Sequence, residues 1–336
     1  MASRTRYFLI GSALVVVVGL CTGLVAYYSG ALPGRTTAMA EFDYLPENSA
    51  AVAFADVRDI MDSGFRQRLR QILPTGENKD RLQAETGIDI ERDIDTVVLG
   101  LPEQGAANAR PLVILRGRFD AAKIEALAAS HGATAEMYRN TRILAAPAAG
   151  GADLSGGPSL AFLEAGLLAL GDTVAIRQAV DAAATRGGVA GNDDLMRAVT
   201  GIQGTGNAWI VGRTASLSSH PGMPQQVLEH LSAVEWIAVG ANVDDGVRAI
   251  MRAEARDDQA GDDLRGVING ALSAARLFAG QDARIESALG SLQMAGTGRV
   301  VEVSFTAPAE MIDLLQQMRP PTAPNAPVAP EPPAAP

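Results

Sequence analysis

From Tyr7 to Gly34 no residue carries a charge, and the stretch from Phe8 to Tyr28 is strongly apolar. At 1.5 Å per residue those ~21 residues rise about 30 Å, the thickness of a bilayer core. The spacing therefore predicts a transmembrane helix over 8–28, with residues 1–7 as a short cytoplasmic N-terminus. Arg4 and Arg6 precede the stretch and the next charge is Arg35. The excess of basic residues on one side expects a single pass through the cytoplasmic membrane, with everything after it in the periplasm. Ala38-Met39-Ala40 ahead of Glu41 has the small-x-small form of a signal-peptidase site. A signal peptide's apolar region is typically about 7–15 residues, so the greater length here favours an uncleaved anchor. Leu20 stands where a small residue normally precedes a lipidated cysteine, which argues against modification of Cys21. Gly19 and Gly23 form a small-xxx-small pattern through which two such helices would approach closely as a homodimer.

Past a linker over 29–41, the pattern alternates between strand-length apolar runs and amphipathic helices. Ser49 to Val57 reads as a strand, and Ile60, Met61, Phe65, Leu69, Ile72 and Leu73 recur at helical spacing until Pro74. Ile94–Leu101 and Leu112–Phe119 read as the next strands. Asp120 then caps a helix that ends at His131-Gly132. Glu136 to Ala146 reads as a hairpin turning at Asn140, and 160–163 with 167–170 as another, before a helix capped by Asp172 or Thr173.

The second half retells this order. Asn207–Gly212 stands where the first strand stood, followed by a helix near Gln225 to Leu231. Val234–Val243 and Val247–Ala255 pair around Asp244-Asp245-Gly246. A long helix over 257–279 and a closing strand over 299–305 complete the half. The order predicts an α+β fold, a duplicated ferredoxin-like domain of β-α-β-β-α-β plus a helix, with repeats over 42–186 and 187–318. The tail, 319–336, carries eight prolines between Pro320 and Pro336. It is expected to be an extended, disordered arm, either solvated or in contact with an envelope protein or wall polymer.

Composition removes several functional classes. The formal net charge is −10, which excludes a basic stripe for nucleic acid. One cysteine provides neither a disulfide framework nor a cysteine metal site. The only lysines are Lys79 and Lys123, so the arginines reflect a composition bias more than a recognition device.

No reactive constellation emerges from the remaining residues. His131 falls at a helix C-terminus, where the dipole favours a cation. His220 and His230 are ten apart and lack the i, i+4 spacing of a metal pair. Acidic doublets recur at Asp193-Asp194, Asp244-Asp245, Asp257-Asp258 and Asp262-Asp263; the cluster from Asp257 to Asp263 lacks the alternation and closing Glu of a calcium loop and reads as capping the helix that follows. Gly201 to Gly206 precedes a strand, so it fails the context of a phosphate loop. Ser216, Ser218 and Ser219 lack a nucleophile elbow. No catalytic, cofactor-binding or metal residue is nominated, and no cofactor is expected.

Thr86–Asp95, Arg116–Asp120, Phe162–Gly166 and Gly206-Asn207-Ala208-Trp209 resemble a family of membrane-anchored bacterial envelope proteins of unknown function, over about residues 41–318. The resemblance supplies no catalytic residue. The expectation is a non-enzymatic envelope protein whose exported module binds a partner or serves structurally. The alternative is a carrier or sensor of an apolar, lipid-like ligand held between sheet and helices, which the 4% aromatic content weakens.

Overall fold

The computed structural model describes residues 39–67, 89–102, 111–146, 158–217, 232–279 and 289–308. Twelve strands form one sheet: β1 Ala51–Asp56, β2 Ile94–Leu101, β3 Leu112–Gly117, β4 Thr134–Tyr138, β5 Thr141–Ala145, β6 Pro158–Glu164, β7 Leu167–Asp172, β8 Ala208–Arg213, β9 Val234–Val243, β10 Gly246–Ala255, β11 Gln293–Ala295 and β12 Val300–Pro308. Their order across the sheet is β11-β12-β10-β9-β8-β1-β2-β3-β7-β6-β5-β4. Every ladder is antiparallel.

This corrects the expected duplicated ferredoxin-like architecture. In a split βαβ unit the strands on either side of the helix run parallel, with another strand between them. Here β1 and β2 are hydrogen-bonded antiparallel neighbours, with Asp56 opposite Thr96. The reason lies in where the chain leaves and re-enters. The short helix α1, Met39–Phe42, precedes β1, and α2, Val57–Asp62, starts directly at its end. The returning helix α3, Ile90–Asp93, runs straight into β2. An ion pair from Arg66 to Glu91, 2.7 Å, lies at that same end of the sheet, from which β2 runs back along β1. The β1–β8 ladder then joins the two halves into one sheet, with Ala51 opposite Gly212.

Among the described residues no helix is long and apolar enough to cross a membrane. The membrane, signal-anchor and transmembrane assignments therefore find no spanning helix in the structure. The predicted span over 8–28, with Gly19 and Gly23, and the tail over 319–336 lie outside the described residues. Part of the predicted linker is folded, since α1 begins at Met39.

Local chemistry explains the remaining helices. α4, Ala121–Ser130, starts where Asp120 accepts from the Lys123 amide at 3.0 Å. α5, Thr173–Thr185, starts where Asp172 accepts from the Ala175 amide at 2.7 Å. A 3₁₀ turn, Val189–Gly191, leads to α6, Asp193–Thr200, capped by Asn192. α7, Thr214–Leu217, follows β8, and α8, Asp258–Ala279, follows β10. The predicted helix over 58–73 is interrupted: α2 ends at Asp62, Ser63 turns extended, residues 64–67 are helical again, and 68–73 lie outside the described residues. The turn and α6 went unread in the sequence, as did β11.

Strand alternation sends neighbouring side chains to opposite faces. On one face Val52, Phe54, Val98, Ile114, Trp209 and Val211 pack against Phe42, Ile176, Ala179, Leu195 and Val199 of α1, α5 and α6. On the other, Ala55, Val97, Leu115, Leu168 and Ala208 pack with Val57, Ile60 and Met61 of α2. All six residues of β1 are buried, which places the middle of the sheet at the centre of the core. The aromatic content is concentrated there: the Trp209 ring lies edge-on to Phe42 at 5.9 Å and stacked on Phe54 at 5.8 Å. α8 is packed less completely than its apolar pattern predicts, since Val267 is 42% exposed.

Candidate binding cleft

The antiparallel pairing of β1 and β8 brings the start of one beside the end of the other. The loop before β1, Pro46 to Ala50, crosses that end of the sheet. Its turn is local: the Ser49 amide and hydroxyl both donate to the Pro46 carbonyl, at 3.0 and 2.7 Å. Three further bonds pin it from different elements. The Ala50 amide donates to the Leu101 carbonyl of β2 at 2.8 Å, and the Arg213 amide of β8 donates to the Ala50 carbonyl at 3.1 Å. The Asn192 side-chain amide donates to the Glu47 carbonyl at 3.1 Å.

These elements enclose an open cleft of about 500 Å³ lined by Glu47, Asn48, Ser49, Asn192 and Arg213. That volume lies in the range of small-molecule sites. Each of the five lining residues carries a polar or charged side chain. Asn192 is engaged at both ends, because its Oδ1 also accepts from the Leu195 amide at 3.1 Å as the cap of α6. Arg213 is exposed at its tip, while its guanidinium carbon sits 5.0 Å from the centre of the Trp236 ring. Trp236 is buried, so the ring acts as a fixed platform that limits the freedom of the guanidinium. Glu47 lies back over Gly191, where an added Cβ would come within 3.7 Å of its Oε1. Among the described residues neither Glu47 nor Arg213 is in an ion pair, with each other or with any other group.

Several other charged groups pair within the fold. Glu41, buried at 2% exposure, pairs with Arg116 of β3 and holds α1 to the sheet. The Tyr44 hydroxyl donates to Glu164 at 2.7 Å, and partial burial followed by that carboxylate pushes the phenol well above its ordinary range. Glu136 accepts from Arg177 of α5, at 2.6 and 3.0 Å, which ties edge strand β4 to the helix. Asp181 accepts from the Tyr138 hydroxyl at 2.8 Å and from Arg139 at 2.6 Å, and these bonds hold its carboxyl below the usual range.

The residues weighed in the sequence are scattered. His131 is the C-cap of α4, with Gly132 at φ +84 behind it. His220, His230, Ser218 and Ser219 lie outside the described residues. Asp193 and Asp194 open α6, Asp244 and Asp245 form the β9–β10 turn, and Asp257 accepts from the Ala260 amide at 2.7 Å to start α8. Among the described residues no three His, Cys, Asp or Glu side chains gather as a metal site. The cleft residues carry no local motif; a turn signature at Pro46-Glu47-Asn48-Ser49 and an arginine ending an apolar strand were the only traces of them.

No known protein family and no curated protein matches the sequence, so nothing found bears on the resemblance to an anchored envelope family. Among solved structures, crystal form I of TP0453 is a distant neighbour at 7% identity and a TM-score of 0.45. The match covers 82% of this chain and 96% of that one, a likeness too remote to bear on function.

Proposed function

We propose that this protein is a non-enzymatic binding module, and that the cleft at the shared end of β1 and β8 is where it binds. The observation that carries the reading is a polar cleft of about 500 Å³ whose loop is held by bonds from β2, β8 and Asn192. Such a site is ready before its ligand arrives, and preorganisation lowers the cost of binding. The five polar and charged residues of the lining favour a polar occupant over the apolar ligand considered from sequence alone. Action outside the cytoplasm belongs to the same proposal; Arg4 and Arg6 ahead of an uncharged stretch support it, as does the absence of cysteine after Cys21.

The test is a titration of the purified protein with a panel of polar small molecules, followed by amide chemical shifts. Shifts confined to Glu47, Asn48, Ser49, Asn192 and Arg213 are the expected result. Turnover of any such molecule, abolished by one substitution, would overturn the non-enzymatic reading. A reporter fused after Met318 tests the location, with activity expected only where the reporter requires export.

A further inference from the structure

Resting on the reading of the cleft as a binding site, we infer that its ligand is a zwitterion bearing a free ammonium and a free carboxylate, of the size of an amino acid or short peptide. The structure brings two opposite charges to one cleft and leaves both without an ion pair among the described residues: the Glu47 carboxylate and the Arg213 guanidinium. Opposite charges on mobile side chains commonly meet at a surface. These two do not: the Arg213 guanidinium is held against a ring, and Glu47 is held through its backbone. Arg213 is laid on the Trp236 ring, 5.0 Å from guanidinium carbon to ring centre, and its backbone is bonded to Ala50. Glu47 is carried by a loop pinned through its own carbonyl to Asn192, and its carboxylate lies beside Gly191.

A ligand with one charge would satisfy one wall and be repelled by the other. An ammonium and a carboxylate on a single small molecule satisfy both. A guanidinium fork presents parallel N–H donors matched to the two oxygens of a carboxylate. A carboxylate accepts from the three N–H groups of an ammonium. Asn48, exposed on the same lining, adds an amide that both donates and accepts and suits a peptide group between the ends.

Calorimetric titration of the full-length protein with L-alanine, tri-alanine, acetate and N-acetyl-alanine amide tests this. Binding by alanine or tri-alanine, with the doubly blocked compound about tenfold or more weaker, is the expected outcome. Stronger binding of tri-alanine than of alanine would identify a peptide, and the reverse an amino acid; either supports the zwitterion. Glu47→Gln, an exposed and nearly isosteric change, is expected to remove the preference for a free ammonium while leaving carboxylate binding, and the neutral Arg213→Gln the reverse. Equal binding of the blocked and free compounds would overturn the zwitterion while leaving the cleft a binding site. No binding of any of the four, with none found in the wider panel, would overturn both.

Discussion

Glu41 and Arg116 stand 75 positions apart in the chain and form an ion pair that fastens the N-terminal helix α1 to strand β3. The acid is almost wholly buried and the base is 29% exposed. Glu41→Gln leaves a guanidinium that water still reaches, so the loss is smaller than for a fully enclosed pair. The expected destabilisation is about 1–3 kcal/mol, read from the denaturant midpoint at unchanged slope. Parent-like stability in this variant would show that α1 is held by Phe42 alone.

Tyr44 links stability to alkaline pH. Its phenol is held protonated in the fold by partial burial and by its bond to Glu164, above the ordinary value of 10.0 expected in the unfolded chain. Between those values the unfolded state has lost a proton that the folded state keeps, so stability falls as pH rises. The contribution is complete below about pH 10 and is lost on the way up. Tyr44→Phe is expected to flatten that part of the fall when unfolding free energies are compared at about pH 9 and pH 11. An unchanged slope would remove Tyr44 as its source.

Asp181 acts with the opposite sign. The Tyr138 hydroxyl and then the Arg139 guanidinium hold its carboxyl below its ordinary 3.8. The unfolded chain therefore takes up the proton first as pH falls. The stabilisation is present above that ordinary value and disappears through the folded one. Asp181→Asn is expected to lessen the acid dependence between about pH 5 and pH 2, with circular dichroism melts as the readout. Since Tyr138 ends edge strand β4, the protection of β4 amides relative to their intrinsic exchange rates should also fall at low pH.

Gly188 couples the core to the cleft. An added Cβ there would meet the backbone oxygens of Phe42 and Asp43 at 2.6 and 2.7 Å. Backbone at that distance has no rotamer by which to move aside. Gly188 also bridges Pro46 at the start of the cleft loop, and the next amide, Val189, donates to the Leu45 carbonyl at 2.8 Å. Gly188→Ala is expected to cost about 1–3 kcal/mol, as overpacking does. It should also raise amide exchange at Ser49 and Ala50, and exchange confined to residues near 188 would contradict the coupling.

Short-range chemistry made most individual elements legible. Ile94–Leu101 is a strand because eight residues of mostly apolar, β-forming character follow directly on helix α3. Asp120 and Asp172 announced α4 and α5 because a carboxylate satisfies a first-turn amide that nothing else would. α6 escaped notice because its cap is Asn192 and its eight residues offer only two turns of pattern. The helix read over 58–73 missed its break at Ser63, because periodicity does not register that the Ser63 amide donates to the Ile60 carbonyl and its backbone turns extended.

Period and caps determine which segments of this chain are strands or helices and which face of each is apolar, since both depend on residues within a few positions of one another. They do not determine direction. A strand has the same alternation whether it runs up or down the sheet. The β1–β2 ladder sets β2 antiparallel beside β1, with Arg66 and Glu91, 25 positions apart, paired at that end, and the β1–β8 ladder merges the two halves into one sheet. The cleft has the same origin: Glu47 and Arg213 become neighbours because antiparallel pairing sets the end of β8 against the start of β1, a relationship that exists only once the sheet has closed around them.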